Sequence, residues 1–139
     1  MDARSIVDSG FLAALPVRND EYHAWAVSVL PKARGPWLTC EACISEAAFL
    51  IGEELGMRGV MALYRSVSDG LIQVRSMLPG RVADIMRETE RYRGRLMDFA
   101  DAGIVLLSDE HPALPIFTVD RRDFAVYMRG RASRMLVMP

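Results

Sequence analysis

Four acidic residues occupy positions where a metal-binding cluster could form. Asp8 and Asp120 each follow an apolar run that is predicted to be a strand. Because the carboxyl ends of parallel strands meet at one edge of a sheet, these two side chains are expected to lie close together. Glu46 falls in the helix after the second predicted strand, and Asp101 falls in the first turn of a later helix. The four carboxylates are therefore predicted to converge at one end of the sheet.

Crowded carboxylates favour a particular chemistry. Like charges repel, and burial strengthens the repulsion, so such a cluster either takes up protons or binds a cation. Mg²⁺ and Mn²⁺ prefer oxygen ligands and are the natural partners. A metal held there activates water and stabilises charge on a phosphate during in-line displacement. The pattern thus favours a Mg²⁺ or Mn²⁺ site at which a phosphate group could react.

Two of these acids also have a structural interpretation. Asp8 stands at a strand-to-helix junction, where aspartate is favoured as an N-cap. Glu46 could be a solvated helix residue, but the apolar neighbours Ala47 and Phe49 predict a buried carboxylate that needs a partner. For both residues we favour the role in the metal site.

Two pairs of aspartates share one spacing. Asp98 and Asp101 are three residues apart, as in a capping box. Asp98 is predicted to cap its helix and to support the metal, whereas Asp101 is the better site residue. Asp120 and Asp123 flank two arginines in a turn, where aspartates are common. The strand-end position favours Asp120 as functional and leaves Asp123 as structural.

Residues beside the acids are candidates for contacts with substrate. Ser9 and Ser45 each stand next to an acid, where a hydroxyl could hold water or phosphate or could simply be a small group at a crowded point. Five arginines make the C-terminal segment locally basic: Arg121, Arg122, Arg129, Arg131 and Arg134. Arg121 and Arg122 are the candidates nearest the site. RNA binding and a solvated arginine-rich edge both fit the segment.

Cys40 and Cys43 supply a competing hypothesis. A C-x-x-C sequence at a strand-to-helix junction is where a thioredoxin-like redox pair would lie. The rest of the thioredoxin pattern is missing from the chain, and a zinc site would need two further ligands. Free cysteines are often small buried hydrophobic residues. A redox protein is kept as the alternative from another enzyme class.

The elements that position these residues alternate along the chain. Strands are predicted at Arg4–Val7, Trp37–Thr39, Leu71–Val74, Ile116–Val119 and Met135–Val137. Helices are predicted at Phe11–Leu15, Glu21–Ala33, Glu41–Leu55, Val60–Val67, Arg81–Tyr92 and Asp98–Leu107, with Asp20 capping the second and Gly56 ending the third. This alternation predicts an α/β domain with a mainly parallel sheet covered on both faces.

Bulk composition narrows the class of protein. The 139 residues are 51% hydrophobic and 25% charged, which predicts a single globular domain over residues 1–139. The net charge of -1 argues against a protein that holds nucleic acid mainly by overall positive charge. The first residues lead into a strand instead of an apolar export signal, and no apolar run is long enough to span a bilayer. A cytoplasmic protein without a membrane partner is expected.

Five stretches together resemble the successive motifs of VapC-like PIN domains in their order and separation. They are Asp8–Leu12, Asp20–Ala26, Leu38–Ala48, Met97–Ala102 and Phe117–Phe124. The resemblance covers essentially the whole chain. It implies a PIN-like three-layer α/β/α sandwich with a mainly parallel central sheet.

The resemblance also implies an activity. Its acidic residues would be Asp8, Glu46, Asp101 and Asp120, with Asp98 in support, around Mg²⁺ or Mn²⁺. The chain would be a metal-dependent endoribonuclease, acting on RNA as the toxin of a toxin–antitoxin pair. A PIN-like module that lost its activity and only binds partners is the non-catalytic alternative, and retention of all four acids argues against it.

Partners follow mainly from the same resemblance, which implies a homodimer and a cognate antitoxin protein. The sequence adds a hint, because Phe11, Leu12 and Leu15 on a short helix, with the apolar residues of Ala24–Leu30, exceed what one sheet edge easily covers. An inhibitor would gain most from an arginine placed among the carboxylates.

Overall fold

The computed structural model describes residues 2–131 and 136–139, and its centre is a five-stranded sheet. The strands are β1 (Ser5–Val7), β2 (Trp37–Cys40), β3 (Ile72–Arg75), β4 (Ile116–Phe117) and β5 (Leu136–Val137). Their order is β3-β2-β1-β4-β5, and every neighbouring pair is parallel. The predicted α/β class is confirmed, and the sheet is parallel throughout. Met135, predicted to begin the last strand, lies outside the described residues.

Within the described residues, six α-helices connect and cover the strands. They are α1 (Ser9–Ala14), α2 (His23–Val29), α3 (Glu41–Ser68), α4 (Val82–Arg91), α5 (Phe99–Glu110) and α6 (Arg121–Tyr127). Short 3₁₀ turns follow α2 at Leu30–Lys32 and α4 at Arg93–Arg95. The long α3 is broken at Gly56, whose φ of 65° and ψ of -160° lie outside the helical region. The sequence predicted this break as the end of one helix and the start of another.

Alternate strand residues face two separate cores, which makes the fold three layers. Ile6 and Leu38 pack with α5 and α6 on one face, whereas Val7 and Trp37 pack with α1, α2 and α3 on the other. Both faces are therefore buried, as a parallel sheet requires. The expected α/β/α sandwich is confirmed.

Two details of α2 differ from the prediction. Asp20 does not cap the helix, since the cap position is Tyr22 and Oδ1 of Asp20 instead accepts the N–H of Tyr22 at 2.8 Å in the preceding turn. The sequence predicts Trp25, Val29 and Leu30 as the apolar face of this helix; Val29 is buried and Trp25 packs against the core, but Leu30 is 41% exposed. The helix is shorter than predicted, and Leu30 therefore lies in the 3₁₀ turn after it.

Two apolar residues of α1, Phe11 and Leu12, are buried in the core. Phe11 is fully buried and packs edge-on against Trp25 and Trp37, with ring centroids 5.9 and 5.4 Å away. Leu12 is 4% exposed. The inference of surplus apolar surface from these two residues was wrong, because α2 and α3 cover the helix.

The sequence predicts Val82, Ile85 and Met86 on one apolar side of α4, and of these only Ile85 packs against the core. Val82 and Met86 are largely exposed, whereas Glu88 is buried and pairs with Arg131, N to O 2.7 Å. An ion pair thus replaces an apolar contact on the inner face. Arg131 therefore has a structural partner on α4, and its side chain is 7% exposed.

Candidate metal centre and active site

Sheet order brings the ends of β1 and β4 together. Val7 lies opposite Phe117 in neighbouring parallel strands, although the two residues are far apart in sequence. The chain leaves β1 toward β2 on one side and returns to β4 on the other, which opens a crevice at the carboxyl edge. Close approach of the two loops requires Gly10, because a Cβ there would lie 2.3 Å from Cγ2 of Val119.

Three helices begin at this crevice, and each is capped by an aspartate. The N–H of Phe11 donates to Asp8 at 2.9 Å, that of Asp101 to Asp98 at 2.8 Å, and that of Asp123 to Asp120 at 3.1 Å. These caps explain why the helices start where they do. The positive ends of helix dipoles also favour ionised carboxylates. The capping and site interpretations of these aspartates are therefore compatible.

One cleft of about 350 Å³ collects the predicted acids. Its lining includes Asp8, Glu46, Asp98, Asp101, Asp120, Asp123 and Ser9. Arg121 and Arg122, which we predicted to contact substrate, are exposed on the first turn of α6 and do not line it. Arg134 lies outside the described residues.

The tightest group in the cleft is a triad of carboxylates. One oxygen from each of Asp101, Asp120 and Asp123 lies within 4.8 Å of the other two. Asp123 was predicted to be only structural, and the turn of helix after its cap brings it into the group. Three anionic oxygens at this separation are a donor set that fits a hard divalent cation. The residues present therefore match the Mg²⁺ or Mn²⁺ site that the resemblance implies.

Asp8 is the most buried acid of the cleft, at 7% exposure. Burial raises its pKa to about 6, and the carboxylate of Asp120 adds to the effect. Its Oδ1 accepts the N–H of Phe11, and its Oδ2 accepts the hydroxyl of Thr118, a fully buried residue at the end of β4. Thr118 was not predicted as part of the site, although it stands two residues before Asp120.

The pKa of Asp101 rises further, to about 8. Burial is the main cause, followed by repulsion from Asp98 and Asp120, and the hydroxyl of Tyr127 opposes the rise by donating to Oδ2 at 3.3 Å. The pKa of Asp120 is also raised, by burial and by the neighbouring Asp123. Such crowding costs free energy that a bound cation would relieve.

Glu46 lies at the rim of the cleft and not in a buried stretch. Its side of α3 is exposed, and Phe49, one turn later, is 66% exposed. The argument from apolar neighbours was wrong because α3 turns that face away from the core. Partial burial and the nearby Asp98 raise the pKa of Glu46, and a hydrogen bond with Ser9 lowers it. Ser9, predicted as a possible contact for water or phosphate, thus has Glu46 as a hydrogen-bond partner.

Arg95 is a cation that sequence reasoning did not select. Its guanidinium lies 2.7 Å from Oδ1 of Asp123, and both side chains are about one-third exposed. The next residue, Leu96, lines the cleft in a left-handed conformation with φ of 52°. Nothing in the residue pattern distinguished Arg95 from its neighbours, since it reaches the cleft only through the fold.

The two cysteines are buried beside the cleft. Their sulfurs are 3.5 Å apart, and the exposed fractions are 0% for Cys40 and 1% for Cys43. Sγ of Cys40 also lies 3.7 Å from the carbonyl oxygen of Ala100 on α5. The hydrogen bond between the thiols lowers the pKa of Cys40 and raises that of Cys43. They fill the layer between the sheet and α5.

A solved structure shares this arrangement of strands and helices. VapC20 of Mycobacterium tuberculosis, a sarcin-ricin loop cleaving toxin, superposes with a TM-score of 0.75. The chain has the fold of VapC20. The alignment covers 87% of this chain and 93% of VapC20 at 19% sequence identity. No protein-family model matches the chain, and no curated protein matches it in sequence.

The likeness to VapC20 confirms the resemblance to VapC-like PIN domains at the level of fold. Among the described residues, no helix is both long and apolar enough to cross a membrane.

Proposed function

We propose that this chain is a Mg²⁺- or Mn²⁺-dependent endoribonuclease and the toxin of a toxin–antitoxin pair. One observation carries the proposal: the carboxylates of Asp101, Asp120 and Asp123 lie within 4.8 Å of one another in a cleft that Asp8 and Glu46 also line. Burial and repulsion from neighbouring carboxylates raise the pKa of Asp101 to about 8. A bound cation would offset this repulsion and favour the ionised carboxylate.

Each acid has a distinct part in this proposal. Asp101, Asp120 and Asp123 would hold the metal, which when bound supplies an activated water and neutralises charge on the phosphate. Asp8 is fixed by the Phe11 N–H and the Thr118 hydroxyl, so its carboxylate is held at the floor of the cleft. Glu46, at the open rim with a raised pKa, is the group suited to accept a proton from the attacking water.

Cleavage of a defined RNA tests the proposal. VapC20 is a sarcin-ricin loop cleaving toxin, so an RNA hairpin of that loop is a sensible first substrate, beside transfer RNA and a messenger RNA. We expect cleavage with Mg²⁺ or Mn²⁺, none with EDTA, and recovery when the metal is restored. Zn²⁺ should replace them poorly, because the proposed ligands are all oxygens. Cleavage that persists in EDTA would contradict the metal mechanism.

The toxin assignment rests on a partner surface as well as on the cleft. A groove of about 710 Å³ lies between α1, α2 and α3, and its lining includes Leu15, Val27 and Leu30, the last two 48% and 41% exposed. We propose that a segment of a cognate antitoxin covers this groove and places an arginine among the carboxylates. Expression of the chain alone in the cytoplasm should slow growth of the host cells. Co-expression of the neighbouring gene should restore normal growth. Harmless expression of an RNA-cleaving protein would remove the toxin assignment and leave the nuclease.

A homodimer remains part of the proposal by family resemblance. Light scattering at micromolar concentration measures it directly, and we expect twice the mass of one chain. A monomer at that concentration would contradict the dimer without affecting the nuclease assignment.

The redox alternative makes a different prediction for the cysteines. Their sulfurs are close enough to favour it, but both are fully buried, whereas a dithiol that exchanges with substrates must expose a sulfur. Cys40→Ala and Cys43→Ala should each keep RNA cleavage within about twofold. Disulfide reductase activity in the wild type that both variants lose would favour the redox protein. The inactive binding module is favoured instead if no RNA is cut while the antitoxin still binds.

A further inference from the structure

We infer that a pocket beside the acidic cleft binds a guanine base of the RNA, an inference that rests on the proposed nuclease function. The pocket, of about 850 Å³, lies between the first turns of α3, the segment after β3 and the start of α5. We name it the base pocket. The lining residues used here are Glu41, Ser45, Glu46, Phe49, Ser76 and Phe99.

The base pocket continues directly from the cleft. Glu46 lines both, and Asp98 on the cleft side is followed by Phe99 on the pocket side. A nucleotide with its phosphate at the metal site would therefore have this pocket next to it. Only an unpaired nucleotide can turn its base into such a pocket, because a base within a helix is stacked and hydrogen-bonded.

Two phenylalanines give the pocket its stacking surfaces. Phe49 is 66% exposed and Phe99 is 40% exposed. Exposed aromatic rings on a nucleic-acid-binding surface stack on bases without regard to their identity. The rings therefore account for binding of a base, and the choice of base must come from polar groups.

The charges around the pocket select guanine. Among the described residues its lining holds two carboxylates, Glu41 and Glu46, and neither lysine nor arginine, so it repels a phosphate and attracts hydrogen-bond donors. The hydroxyl of Ser76 donates to Oε2 of Glu41 and orients that carboxylate. Guanine presents two adjacent N–H donors on its Watson–Crick edge, which match the two oxygens of a carboxylate. Adenine and uracil lack this pair of donors.

A second copy of the chain fits the pocket less well. A dimer contact centred there would bury Glu41 and Glu46 from both copies, and charged residues are depleted from the cores of interfaces. Dimerisation through this face is therefore treated as the competing outcome of the experiment below.

The test uses short single-stranded RNAs that carry guanine, inosine or adenine at each position flanking the cleaved bond. Inosine lacks only the exocyclic amine of guanine. We expect the wild type to cut the guanine substrate about tenfold more efficiently than the inosine one at a single position. Glu41→Gln should abolish this preference.

The stacking surface is tested by Phe49→Ala, which should raise KM about tenfold with kcat nearly unchanged, and Phe49→Tyr should return KM to the wild-type value. Met57→Ala removes an equally exposed side chain elsewhere on α3 and should change neither constant.

Three outcomes decide the matter. Unchanged base preference in Glu41→Gln and unchanged KM in Phe49→Ala, with cleavage intact, would overturn the base pocket and leave the nuclease standing. A dimer that Phe49→Ala converts to a monomer would show that the face binds a second copy, which also overturns the inference. If the wild type cuts no RNA, the nuclease proposal fails. The base pocket is then tested by fluorescence anisotropy with the same RNAs in EDTA. Guanine-selective binding would support the pocket, and its absence would overturn it.

Discussion

The hydroxyl of Tyr127 donates a hydrogen bond of 3.3 Å to Oδ2 of Asp101 and thereby joins the last residue of α6 to the first turn of α5. The ring of Tyr127 is buried and packs edge-on against Tyr92 and Phe124, so the hydroxyl is held in place. Asp120 caps the other end of α6. One short helix thus positions two carboxylates of the triad and the donor to the third.

Tyr127→Phe tests the importance of this contact. Its hydrogen bond lowers the pKa of Asp101, so its loss should raise that pKa further above about 8 and weaken metal binding. A hydrogen bond to a charged group contributes about 1.5–3 kcal/mol, and we expect Mg²⁺ affinity to fall roughly tenfold. Titration of the melting temperature with Mg²⁺ measures the change. Tyr64→Phe, on the exposed side of α3, is the matched control. Equal affinity in both variants would show that the contact has no part in metal binding.

Neutralising a buried acid should separate activity from stability. We expect Asp101→Asn and Asp8→Asn each to lower cleavage by about 100-fold or more, because an interaction that stabilises the transition state is lost. Without metal, Asp101→Asn should melt higher than wild type, since repulsion from Asp98 and Asp120 is removed. Thermal melting in EDTA and cleavage in Mg²⁺ give the two readouts. Wild-type cleavage in either variant would exclude that residue from the site.

The matched control for these variants is Asp69→Asn, at the exposed C-terminal end of α3 and outside the cleft. It makes the same chemical change without relieving any crowding. Its cleavage and melting temperature should stay at the wild-type values. A comparable rise in its melting temperature would attribute the effect to net charge instead of the cluster.

The alternation of strands and helices along the chain is why so much of the fold could be predicted. Most strands are short apolar runs bounded by turn residues, and the helices between them favour parallel pairing. The errors lie where tertiary contacts override local pattern. Glu88 occupies the inner face of α4 because Arg131 reaches it from 43 residues away, and no local period can show that.

The site was predictable where a residue sits at the end of an element and not where the fold alone brings it in. Asp8 and Asp120 follow strands and Asp98 precedes a helix, so their positions follow from the element boundaries. Thr118 contacts Asp8 and Arg95 contacts Asp123 only because the fold packs β4 and the turn before α5 beside these acids. Their contacts depend on three-dimensional distances that the spacing of residues does not contain.

Stability of the metal-free protein should fall as pH rises from about 4 to about 8. Asp101 has an unfolded pKa near 3.8 and a folded pKa of about 8, so between these values the native state binds more protons than the unfolded state. Stability decreases with pH wherever that is so. Asp8 adds to the slope up to its pKa of about 6. Denaturant unfolding in EDTA at pH 5, 6, 7 and 8 measures it.

Saturating Mg²⁺ should flatten or reverse this trend, because metal binds the ionised carboxylates of the native state only. A concentration 100 times the dissociation constant would add about 2.7 kcal/mol. Asp101→Asn should show a shallower slope in EDTA and a smaller response to Mg²⁺. Stability that climbs from pH 5 to 8 without metal would mean that the carboxylates are not crowded as described.

The last prediction concerns Arg131, which the sequence placed in a basic segment and the structure places in an ion pair. Its side chain is 7% exposed and that of Glu88 is 5% exposed, and its Nε donates to the carbonyl oxygen of Tyr127 at 2.6 Å. Arg131→Met leaves the Glu88 carboxylate buried without its cation, which costs about 3–5 kcal/mol. The melting temperature should fall by roughly 10 °C.

The control for this variant is Arg93→Met, which breaks the exposed pair with Glu90 and should lower the free energy of unfolding by under about 1 kcal/mol. Adding Glu88→Leu to Arg131→Met should recover most of the stability, because the buried carboxylate is then gone and Asp109, the second partner of Arg131, is 37% exposed. If Arg131→Met instead melts like the wild type but binds RNA more weakly, the segment is an RNA-binding edge and the structural role is wrong.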